Sequence, residues 1–193
     1  MKNINDVIEY TESFLSTEEA NELFEELMKY PELTSMFELE IATGEKFNYD
    51  FGKMMFLDRE LVDKNAFPKA SWGHSMEWSE NILKLKKRIE KIVKCEFHTC
   101  VCIFYADGNS GVDYHSDQMA FGDTSIIPSI SLGEERQFCL REKETMTVTP
   151  MLLKHGSLVV MKNGCQEHYE HSLPVDSKYL NPRINLTFRK YGI

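Results

Sequence analysis

From residue 96 onward the chain changes its rhythm, and that change constrains the fold more than any other feature. Six short extended runs follow one another: "FHTCVCIFYA", "SIIPSISLG", "RQFCLRE", "TMTVTP", "GSLVVM" and "RINLTFRKY". Gly, Asp, Asn or Pro separates them, so each reads as a strand ended by a turn. Strands this short and this numerous bury their apolar faces by packing sheet on sheet, as a sandwich or a barrel. Upstream the period is helical. In "FLSTEEANELFEELMKY", Ser16 and Glu19 fit a capping box, Ala20, Leu23, Phe24 and Leu27 form a stripe, and Pro31 follows the end. A second helix is expected over roughly 79–94, with Ser79 as its N-cap and Ile82, Leu85, Ile89, Ile92 and Val93 on one side. The expected class is α+β, in a single domain over residues 1–193.

Residues 40–78 have no clear period. They carry Phe47, Tyr49, Phe51, Phe56, Phe67, Trp72 and Trp78, punctuated by Gly44, Gly52, Pro68 and Gly73. Two readings compete: a segment of hairpins that covers a cleft, or aromatic residues that fill core.

Composition matters where it excludes. A net charge of −9 leaves the chain short of the lysine and arginine that release counterions from phosphate, which disfavours a strong duplex binder. The best basic stretch, "KLKKRIEKIVK", has interleaved glutamate and helical spacing, as a solvated helix face does. Five cysteines (95, 100, 102, 139 and 165) form no CxxC, and their odd number argues against a disulfide framework. No run approaches the ~18 consecutive apolar residues of a membrane span. The N-terminus also lacks the order of a secretion signal. The expectation is an intracellular protein, cytoplasmic or nuclear, with no membrane contact and monomeric.

Two features of the β half depart from plain structural strands. In "RINLTFR", Arg183, Asn185, Thr187 and Arg189 point one way if the run is extended, and Ile184, Leu186 and Phe188 the other. The polar face could meet water. Its two guanidinium forks could equally hold a small dianion, since they bind carboxylates bidentately. The second feature is "YHSDQ", whose His115 and Asp117 share one face of an extended segment, together with "QEHYEHSLP", which offers His168 and His171. A His-x-Asp pair and a remote histidine make up the 2-His-1-carboxylate facial triad, which leaves coordination sites open for a 2-oxo acid and dioxygen. An isolated HxD is usually a turn. An HxD followed by a histidine at 171 and an arginine at 183 supplies a metal and an anchor for its co-substrate together.

The chain resembles the AlkB-type Fe(II)/2-oxoglutarate dioxygenases through "FLSTEEANELFEEL", "FYADGNSGVDYHSD", "IPSISLGEERQFCLREK", "HGSLVVM", "HYEHSLP" and "PRINLTFRK". These occur in the family's order and cover most of residues 10–191. The resemblance implies a double-stranded β-helix (jelly-roll) core with N-terminal helices packed on one side. It makes His115, Asp117 and His171 the iron ligands. Arg183, helped by Tyr105, would hold the distal carboxylate of 2-oxoglutarate. Asn185 and Arg189 would lie near its C1 end, with Arg189 also orienting Asp117. Gln118 and Arg136 would contact substrate, and residues 40–78 would cover it.

The implied reaction consumes 2-oxoglutarate and O2 to form succinate and CO2, and hydroxylates the alkyl carbon of an N-alkylated base in DNA or RNA, which then leaves as an aldehyde. The alternative is the same chemistry on a protein side chain or a small molecule. Two departures bear on this choice. Ile103 stands where the family usually has an asparagine that donates to the co-substrate, a loss of roughly 1 kcal/mol. Gln118 and Met119 follow the HxD where repair enzymes of the family typically have an acid.

Overall fold

The computed structural model describes residues 3–41, 43–117, 119 and 122–192. In chain order its first strands are β1 (Ile8–Thr11), β2 (Glu38–Glu40), β3 (Lys46–Asn48), β4 (Gly52–Leu57), β5 (His74–Glu77), β6 (Thr99–Tyr105) and β7 (Val112–His115). The rest are β8 (Ile127–Gly133), β9 (Arg136–Glu142), β10 (Val148–Leu153), β11 (Ser157–Met161), β12 (Tyr169–Leu173) and β13 (Arg183–Arg189). Seven strands form one sheet in the order β1-β11-β8-β13-β6-β4-β5, and four form a second in the order β10-β9-β12-β7. The β2–β3 pair stands apart. Among the described residues, β4 and β5 are the only neighbours in the two larger sheets that run parallel. The result is the jelly-roll that the family resemblance implies, a form of the sandwich that the strand pattern suggests.

Strand alternation assigns each face of the larger sheet. Cys100, Cys102 and Phe104 on β6, with Ile184, Leu186 and Phe188 on β13, point outward and are buried. They meet Ala20, Leu23 and Leu27 of the helix Thr17–Leu27, and Ile82, Leu85 and Ile89 of the helix Glu80–Val93. Both helices start where the sequence indicates. Ser16 and Glu19 cap each other's backbone N–H, and the Ser79 hydroxyl accepts from Ile82 N. Ile92 lies on the flank of its stripe and remains 52% exposed, so the packed face is narrower than the sequence suggests. Cys100 and Cys102 are free thiols in this layer and act as small hydrophobes. Among the described residues, no helix is long and apolar enough to cross a membrane.

Two expectations are corrected. The run "TMTVTP" becomes a strand only from Val148. Met146 takes a φ of 59°, and Thr145 bonds Glu142 and Thr147 in a turn that joins β9 to β10. Residues 40–78 are also not one cover. Met54, Met55, Phe56 and Leu57 of β4 are fully buried, and β4 lies between β5 and β6 inside the larger sheet. Leu33 and Ser35 carbonyls press so closely on Gly52 that a Cβ would clash at 1.7 Å. Aromatic content alone did not separate this strand from the exposed stretch around it, where Phe47 and Tyr49 stand open.

Candidate active site

The inward face of the larger sheet and the facing smaller sheet enclose a cavity of about 340 Å³. Sheet register sets its polar wall in rows. Arg183 stands opposite Tyr105, Asn185 opposite Ile103, Thr187 opposite Val101 and Arg189 opposite Thr99. The other wall carries His115 and His171, which are direct cross-strand partners on β7 and β12 with ring centroids 4.3 Å apart. Asp117 follows the end of β7. One donor atom from each of His115, Asp117 and His171 lies within 4.8 Å of the others.

The surroundings hold each of these groups in a metal-ready form. His115 Nδ1 lies 2.8 Å from the carbonyl of Asp113; a proton there leaves Nε2 with its lone pair, the usual arrangement for a ligating imidazole. Burial pulls His171 down to about 4, against a smaller opposing effect from Asp117, so its ring is neutral at pH 7. Burial would raise the Asp117 carboxyl, but Arg189, His171 and His115 together bring it below its ordinary value. One Asp117 oxygen accepts from Arg189, whereas Oδ2 is buried without a partner. An orphaned anionic oxygen beside two imidazoles fits a divalent cation, because leaving it unpaired would cost several kcal/mol. Gln166 fixes the turn by accepting from Asp117 N at 2.8 Å.

Across the cavity, Arg183 is almost fully buried. It donates to the Ser131 hydroxyl (2.9 Å) and to Asn185 Oδ1 (3.1 Å), both neutral, and its Nε has no partner. Burial pulls the guanidinium down to about 10, Tyr105 opposing, so it stays charged at neutral pH. A buried cation with a free donor fits a carboxylate ligand. Asn185 is held by Ser129 and Thr187. The cavity therefore has a metal-type donor set on one wall and an anion-type donor set on the other.

Of the eight expected site residues among the described ones, seven (His115, Asp117, His171, Tyr105, Arg183, Asn185 and Arg189) line this cavity. Arg136 does not. It is completely buried and donates to the carbonyls of Asp107 (3.0 Å), Ser110 (3.0 Å) and Pro174 (2.8 Å). Its fork ties the loops at that end of the sandwich together, which leaves it no reach to a substrate. Gln118 lies outside the described residues. Met119 is 74% exposed and does not face the cavity. His168 sits on the surface, and His155 and His98 are hydrogen-bonded structural residues.

Sequence reading missed Ser129, Ser131, Gln166 and Lys53. The serines had a legible signal, since small polar residues alternate with apolar ones in "IPSISLG". Gln166 had none.

A jelly-roll that encloses two histidines, one carboxylate and an unpaired arginine between its sheets defines the class of facial-triad metal oxygenases. Residues 8–189 match the family model described as the 2OG-Fe(II) oxygenase superfamily, and the chain belongs to that superfamily. AlkB homologues are among the curated proteins it is similar to. It is 31% identical over 189 residues to DNA oxidative demethylase ALKBH2 of Bos taurus, covering 89% of this chain and 64% of that one. It is 33% identical over 122 residues to alpha-ketoglutarate-dependent dioxygenase alkB homolog 3 of Mus musculus, covering 58% and 43%. The chain thus spans less than two thirds of the length of these relatives. The solved structure of OsALKBH1 superposes with a TM-score of 0.65 at 13% identity, covering 95% of this chain and 98% of that one, and supports the fold.

Proposed function

We propose that this chain is an Fe(II)/2-oxoglutarate-dependent dioxygenase that removes alkyl groups from N-alkylated bases of DNA or RNA. His115, Asp117 and His171 would hold the iron. Arg183, with Tyr105, would bind the distal carboxylate of 2-oxoglutarate, and Asn185 and Arg189 would flank its other end. Iron, 2-oxoglutarate and O2 together supply an oxidant that places one oxygen on a C–H carbon, with succinate and CO2 as co-products.

The chain's own residues do the rest. The Asp113 carbonyl sets the His115 tautomer. Arg189 turns the Asp117 carboxylate so that its second oxygen is free. Phe51, Val112 and Phe138 make the remaining wall apolar and exclude water from the reacting carbon. The β2–β3 hairpin and exposed Tyr49 remain the candidates for a cover over an extruded base.

The observation that carries the reading is the pairing of an orphaned carboxylate oxygen with an orphaned buried guanidinium across one cavity. The ALKBH2 relative, by its name a DNA oxidative demethylase, directs it toward nucleic acid. The net charge of −9 favours a second reading, an oxygenase of a protein side chain or small molecule. The test incubates the protein with Fe(II), 2-oxoglutarate and single-stranded oligonucleotides bearing different N-methylated bases, and measures formaldehyde and mass loss. Loss of methyl groups that His115→Ala abolishes is expected. Succinate formation with no methyl loss would select the second reading.

A further inference from the structure

Lys53 is the one charged side chain of the cavity, among the described residues, that iron and co-substrate leave unused. It stands on β4 opposite Ile103, which stands opposite Asn185, so Lys53, Ile103 and Asn185 form one inward row across three neighbouring strands. Its ammonium lies 4.9 Å from the ring centre of Phe37 and 5.0 Å from that of Trp72. Two aromatic faces hold it in place without neutralising it. No carboxylate pairs with it among the described residues. Burial, with a smaller push from Arg189, brings it down to about 8, so it still carries its proton at neutral pH.

The charges lining the cavity do not balance. Among the described residues that line it, Lys53, Arg183 and Arg189 are cations, and the single carboxylate, Asp117, is already bonded to Arg189. Residues 118, 120 and 121 are Gln, Ala and Phe and add no charge wherever they lie. A divalent iron and a dianionic 2-oxoglutarate cancel each other, so the chain's positive excess remains to meet the base.

N-alkylated bases fall into two electrostatic classes. Alkylation at N1 of adenine or N3 of cytosine uses a lone pair and leaves a cation. Alkylation at N1 of guanine or N3 of thymine or uracil replaces a proton, leaving a neutral ring with carbonyl oxygen beside the alkylated nitrogen. A cation would be repelled here, whereas a carbonyl oxygen can accept from an ammonium.

We propose that Lys53 determines specificity, selecting neutral carbonyl-bearing N-alkylated bases over cationic ones. The inference rests on the dealkylase reading above and narrows its substrate class.

The test measures kcat/KM on single-stranded oligonucleotides that differ only in one central base: 3-methylthymine, 1-methylguanine, 1-methyladenine or 3-methylcytosine. The native protein is expected to favour the first two. Lys53→Met, which keeps an unbranched chain without charge, should lower that preference about tenfold, as should Lys53→Gln. Lys53→Arg should keep it. The ratio of two rates on one preparation is insensitive to the fraction folded, so a destabilised variant still reports.

A native preference for the cationic bases would overturn the proposal. So would variants that slow both classes equally through a raised KM for 2-oxoglutarate, since Lys53 would then serve the co-substrate. If succinate accumulates and no base loses its methyl group, the dealkylase reading fails and this inference fails with it. A cationic preference removes this inference alone.

Discussion

Arg183 illustrates how a single residue can be structurally costly and still belong. A guanidinium buried beside neutral Ser131 and Asn185, with Nε unpaired, is unfavourable taken by itself. A carboxylate placed there reverses the balance, so the cost becomes affinity. Replacing it by Met should therefore raise the KM for 2-oxoglutarate by roughly 30-fold or more, because truncating one partner of a buried charge pair costs about 2–5 kcal/mol. Steady-state succinate formation measures this; an unchanged KM would move the co-substrate elsewhere. Arg136 is the contrast. It is equally buried and its Nε is likewise unpaired, but its two terminal nitrogens are spent on three backbone carbonyls and it does not line the cavity, so the difference lies in where packing places it.

At the scale of the element, β13 does two jobs with seven residues. Ile184, Leu186 and Phe188 close the layer against the helices, while Arg183, Asn185, Thr187 and Arg189 build the site. A slip of one residue would exchange the two faces, so the outer helices protect the register of the active site. Ile89 of the helix Glu80–Val93 is fully buried in that layer. Ile89→Ala should cost about 2–4 kcal/mol and lower Tm by roughly 5–15 °C, with the KM for 2-oxoglutarate unchanged. Thermal melts beside kinetics would check it. A changed KM with an unchanged Tm would mean that the helix acts on the site rather than on stability.

For the whole molecule, the site lies between two sheets, and a ligand that bridges them stabilises the sandwich as a unit. Iron(II) under anaerobic conditions together with 2-oxoglutarate, at about 100 times Kd, should contribute about 2.7 kcal/mol or more and raise Tm by roughly 5–10 °C. His115→Ala should remove the metal-dependent part. A rise that survives this substitution would place the cation elsewhere.

Much of this molecule was legible in its sequence, for a physical reason. Alternation along a strand is local, so "RINLTFR" declares two faces, and the HxD spacing brings His115 and Asp117 to one side before any fold is known. Capping is local too, and both long helices begin at the serines that cap them. What the chain could not declare was which face meets what. Arg136 and Arg183 each begin a strand, and only packing decided that one would clasp loop carbonyls and the other face a cavity. β4 looked like part of an aromatic cover until its neighbours β5 and β6 buried it. Lys53 became part of the site only through the register that sets it opposite Ile103. Periodicity is written along the chain, whereas burial and electrostatic environment belong to contacts between residues far apart in it.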